Sequence, residues 1–225
     1  MILMLSWSPE RIHANICPDS VPSDSKVRKI NICVLNDVDK PVNQGLISEI
    51  LFAVSAEFSS NAEIVFEFDG VRPFSGDISA WPIDLGIKIK KACPADTELR
   101  VLLTNKRLLG SELPPSGEDS AQDSELAGSS HLYFGYAIIF NVEERYRVRD
   151  AVGNPAPITA LKHELGHLFE LEHTPDKQSF MFTPSSRSSG QWTSEVLSQI
   201  EKSRGRTWFS GASPKSDPGP EFMCR

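Results

Sequence analysis

Three of the chain's five histidines, His163, His167 and His173, fall within eleven consecutive residues, and Glu164 stands beside the first of them. A neutral imidazole offers a nitrogen lone pair. On a helix, H-E-x-x-H sets two such rings four residues and about 40° apart around the axis, close enough to share one zinc ion. The Glu164 carboxylate then lies beside the metal. In a chain with only five histidines, the motif arises by chance on the order of once per hundred sequences of this size. The third ligand is less direct. His173 follows His167 by six residues, so on an unbroken helix it would turn away from the metal. It reaches the ion only if the helix stops near Glu170 and the chain bends back. Glu170 competes for the role, since residues 163, 167 and 170 share one face of a continuous helix. Residues 163 and 170 would then lie about 10 Å apart along the axis, which favours His173.

The segment carrying these groups runs ITALKHELGHLFELEHTPDKQSFMF, from Ile158 to Phe182. Ile158, Leu161, Leu165, Leu168 and Phe169 fall opposite the two histidines, so one side of the helix is expected to pack while the other presents ligands. Upstream, VRKINICVLND from Val27 reads as a buried strand, and Asp39 with Pro41 reads as the start of a helix. Val42, Leu46, Ile50, Val54 and Phe58 give that helix an apolar face. AEIVFEFD (Ala62 to Asp69) and ELRVLLTN (around Val101 to Leu103) read as two more strands. HLYFGYAIIFN, from His131 to Asn141, reads as another, and VEERYRVR is open to a further strand ending at Asp150. A last helix is expected from Thr193 to Lys202. Strands interleaved with helices indicate α/β or α+β architecture.

Residues 1–26 lack a sustained period and read as an irregular arm. The stretch from Ser111 to Ser130 holds five acidic residues and no basic one, and is expected to form a mobile loop. Residues 211–225 read as a disordered tail, leaving one folded unit over 27–210. The net charge of −7 and the absence of a basic block argue against nucleic acid as a partner. No apolar run approaches the roughly 18 residues of a membrane span. Cys17, Cys33, Cys93 and Cys224 show no C-x-x-C pair and read as isolated thiols. With no evident secretory signal at the start, a cytoplasmic location and a monomeric chain are expected.

Met181 follows His173 by eight residues. HELGHLFELEHTPDKQSFMF therefore resembles the active site of the metzincin metallopeptidases, with H-E-x-x-H-x-x-G-x-x-H and a later Met-turn, and is most similar to the archaemetzincin and matrixin branches. The specific match covers about 25 residues. FGYA, within HLYFGYAIIF, is similar to their edge strand beside the substrate cleft. The resemblance implies an α+β, zincin-like fold: a twisted mixed sheet, an active-site helix and a small carboxy-terminal part. It implies one zinc held by His163, His167 and His173, Glu164 as the base acting on a zinc-bound water, and Met181 as an apolar floor. It also implies a peptide or protein substrate extended along Tyr133, Gly135, Tyr136 and Ala137 and cleaved internally. Two departures matter. Glu170 stands where the family has glycine, so a left-handed backbone there would cost roughly 1–2 kcal/mol. Thr183 stands where some members have tyrosine. The cysteine-bound second zinc of archaemetzincins is not expected, since no cysteine follows His173 until Cys224. A second reading keeps the zinc but not the proteolysis, with Glu170 distorting the turn.

Overall fold

Strand β1 (Arg28–Asp37) takes the apolar run read from the sequence and sends alternate side chains to opposite faces of a sheet. Ile30, Ile32 and Val34 enter one core, and Cys33 and Leu35 enter another. The computed structural model describes residues 27–79, 82–108, 126–183, 189–206 and 208, so the expectations for the arm, most of the acidic loop and the tail lie outside it.

Helix α1 (Gln44–Ala62) follows β1. It begins behind Asn43, whose side-chain oxygen accepts the N–H groups of Gly45 and Leu46, and not at Asp39 and Pro41 as expected. The Asn36 side chain bonds both the N–H and the carbonyl of Val42 at 2.9 Å, which holds the chain extended until Asn43. Strand β2 (Ile64–Glu67) ends one residue before Phe68, which is exposed. Strand β3 (Val71–Phe74) and helix α2 (Pro82–Ala92) follow, neither of them anticipated, and then strand β4 (Leu99–Leu103).

The segment from His131 to Asn141 is not one strand. Strand β5 (Gly128–His131), a turn over 132–135 and strand β6 (Tyr136–Ile139) form an antiparallel hairpin, with Gly135 at φ 60°. The end of the expected loop is thus part of the sheet. The expected strand in VEERYRVR is also corrected: it opens as a short helix, α3 (Val142–Arg145). Helix α4 (Ala156–Leu168) carries the histidine motif, and α5 (Ser194–Ser203) closes the described chain.

The sheet order is β2-β1-β4-β6-β5, with β3 paired to the second half of β1. All pairings are parallel except β5 with β6. Helices α1, α4 and α5 pack on one face and α2 on the other, giving two cores. A disulfide joins Cys33 on β1 to Cys93 just after α2, 60 residues apart in sequence. The expectation of isolated thiols is therefore wrong for these two, whose distance along the chain hides their proximity. No described helix is long and apolar enough to cross a membrane.

Candidate metal centre

Asp150 sets the entry to α4. Its Oδ1 accepts the N–H groups of Val152 and Asn154, and its Oδ2 accepts the Thr159 hydroxyl at 2.7 Å. The helix is buried on almost every side, more than the one packed face expected, because β5, β6 and α1 flank it and the downstream chain folds back across it.

Its far end decides whether His173 can reach His163 and His167. The N–H of Leu171 bonds the Gly166 carbonyl at 3.1 Å, and that of Glu170 bonds the His167 carbonyl at 2.9 Å. Those two bonds make a Schellman motif, with Glu170 in the left-handed position at φ 64°. Leu171 closes over Gly166, as the motif favours. Glu170 points to Arg206, with which it is ion-paired, so it turns the chain and takes no place among the histidines.

Beyond the turn, the Nε2 atoms of His163, His167 and His173 form a triangle with every edge 3.1 Å. The outer nitrogens fix the chemistry. His163 Nδ1 lies 2.9 Å from the Phe180 carbonyl, and His167 Nδ1 lies 2.7 Å from the Leu171 carbonyl. A carbonyl oxygen only accepts, so both Nδ1 atoms carry the hydrogen and both Nε2 atoms present bare lone pairs to each other. Such an arrangement calls for a cation. Three nitrogens about 2.0–2.1 Å from one zinc, at tetrahedral angles, lie about 3.3 Å apart, close to the triangle seen. Burial first, and then the neighbouring His167, push the His163 imidazole down to about 3, which keeps it a neutral ligand.

The chain after His173 locks onto the same helix. Met181 is buried, its carbonyl accepts the Thr174 N–H, and its sulfur packs where a side chain on Gly166 would otherwise stand. Lys162, also buried, donates to Glu57 Oε2 at 2.6 Å and to the Gly190 carbonyl at 2.8 Å, tying α4 to α1 and to the returning chain. Gln191 then accepts the Phe180 N–H, so this pair indirectly holds the carbonyl on which His163 rests.

Only fold comparisons find known proteins. No protein-family model and no curated protein matches the sequence. The structure matches an archaemetzincin from Methanopyrus kandleri over 83% of this chain and 100% of that one, with TM-score 0.55 and 16% identity. The fold is archaemetzincin-like. A metalloproteinase-II from Bacteroides fragilis matches 81% of this chain and 55% of that one, with TM-score 0.55 and 13% identity.

Within this archaemetzincin-like fold, Glu164 is 9% exposed, and its carboxyl faces β5 at Gly128. The residues expected to bind substrate lie in the hairpin turn and on the inner strand β6. Tyr133 and Gly135 are in the hairpin turn, Gly135 against Trp208. Tyr136 and Ala137 are buried on β6, which is hydrogen-bonded on both sides; Tyr136 faces the α2 core. The sheet edge beside Glu164 is β5. The sequence signal for it is slight: the short polar run Gly128, Ser129, Ser130 before an apolar stretch. No sequence signal points to the carbonyls of Leu171 and Phe180.

Proposed function

We propose that the chain is a zinc-dependent endopeptidase. The observation that carries this reading is the triangle of three imidazole Nε2 atoms, two of them with bare lone pairs turned to each other, with Glu164 adjoining it in sequence and a sheet edge alongside. The names of the two structurally similar proteins, an archaemetzincin and a metalloproteinase, support it. His163, His167 and His173 would hold the ion. Zinc, when bound, supplies a Lewis acid that acidifies a water and polarises a carbonyl oxygen.

The chain's own groups do the rest. Glu164 takes the proton of the attacking water on a carboxylate oxygen and delivers it to the nitrogen of the departing amine, so the carboxylate is regenerated at each turnover. Its burial between α4 and β5 keeps that proton from bulk solvent. The substrate lies extended along the outer edge of β5, unpaired among the described residues, and is held by backbone hydrogen bonds. These grip a peptide regardless of most of its side chains. The competing reading, a zinc protein without proteolysis, has either Glu170 spoil the turn or a loop block the cleft. The closed Schellman bonds and the converged imidazoles speak against a spoiled turn.

Metal analysis and casein turnover test this. The expected outcome is one zinc per chain and hydrolysis, with Glu164→Ala keeping the zinc while losing roughly 10²–10⁴ of the rate. A zinc-loaded parent that leaves casein intact would establish the second reading.

A further inference from the structure

Gly128 opens β5, and its backbone is not among those with positive φ, so chain conformation does not require glycine there. A glycine in a strand also weakens it. Space supplies the reason. A β-carbon built on Gly128 would lie 2.7 Å from Cγ, 2.8 Å from Oε1 and 3.1 Å from Cδ of Glu164. Unbonded carbons rest at about 3.5–4.0 Å, so the two cannot coexist as placed.

The softer partner is the glutamate. Gly128 is paired in register with Ile139, and the Ala127 carbonyl before it accepts the Phe140 N–H at 3.1 Å, so the start of β5 is fastened to β6. The Glu164 backbone is fixed within α4, leaving its side-chain torsions to yield. We propose that Gly128 is a positioning residue: its missing side chain is the space in which the Glu164 carboxyl stands to handle the proton. The proposal rests on the peptidase reading, in which Glu164 is the base.

The test uses the zinc-loaded full chain and a fluorogenic peptide derived from casein, with Gly128→Ala, Glu164→Ala and the double variant. Gly128→Ala is expected to keep one zinc per chain and the parent's melting temperature. Its kcat should fall on the order of 10²-fold, as for a catalytic group misplaced by about 1 Å, with KM changed less than about threefold. In the Glu164→Ala background Cγ and the carboxyl are both gone, so adding alanine should lower the residual rate less than about fivefold. An equal loss in both backgrounds would mark a merely structural role and overturn the proposal. Crystal structures of parent and Gly128→Ala give a readout independent of turnover: the carboxyl should move while the three imidazoles stay. A carboxyl that stays, with β5 displaced instead, overturns the proposal as well. A parent without turnover overturns the peptidase reading itself, whereas an active parent matched by an equally active Gly128→Ala overturns only the positioning role.

Discussion

Glu170 holds a left-handed backbone and an ion pair with Arg206 at once. The first costs roughly 1–2 kcal/mol, and the second returns about 0–1 kcal/mol for a part-exposed pair. Two substitutions separate them. Glu170→Gly and Glu170→Ala both lose the pair, but only alanine keeps the strain, so glycine is expected to be more stable by about 0.5–1 kcal/mol after its extra unfolded-state entropy. At an ordinary helix position alanine would win by about 1 kcal/mol, so the order in thermal melts of the zinc-loaded proteins decides. At this scale the sequence is most informative. The spacing of His163, His167 and His173 is local, and the need for a break near Glu170 follows from helix geometry alone. The acceptors of the imidazole hydrogens were not legible, because every residue carries a carbonyl and nothing in a side chain shows which one is turned inward.

Helix α4 and the returning chain meet at Gly166. A β-carbon there would lie 2.5 Å from the Met181 sulfur and 2.9 Å from Phe180 Cε2. Gly166→Ala therefore sets an overpacking cost of about 1–3 kcal/mol against a helix-propensity gain of about 1 kcal/mol. A net loss of about 1 kcal/mol is expected in denaturant unfolding, with weaker zinc retention, since Phe180 also holds His163. A variant more stable than the parent would mean that Met181 gives way freely. Element boundaries were less legible than ligands. The turn over 132–135 is hidden in an apolar run, because Phe134 is buried there as a strand residue would be. In β3, Pro73 reads as a strand breaker, yet it is tolerated because this short strand pairs only with β1 among the described residues. The polar beginning of β5 looked like the end of the acidic loop.

Across the whole molecule, the sheet separates two layers. The Cys33–Cys93 bridge fastens the α2 layer to β1, while α4 and its histidines pack on the opposite face. Cys33→Ser with Cys93→Ser removes a cross-link spanning 60 residues, worth up to about 4 kcal/mol by chain entropy. The variant is expected to melt earlier but to retain zinc when folded at low temperature; loss of zinc from the folded variant would show that the layers are coupled. Such a bridge suits an oxidising compartment. Pairings across this distance depend on topology, which local patterns do not carry. The hydrogen bonds from His163 to Phe180 and from His167 to Leu171 have a further consequence. Both acceptors are main-chain oxygens, which mutation does not replace. Apolar exchanges at 171 and 180 that keep the packing on Gly166 therefore leave the imidazole tautomers unchanged, provided the two turns persist. The tautomers at this centre are thus set by the shape of the backbone and not by the identity of the residues beside the ligands.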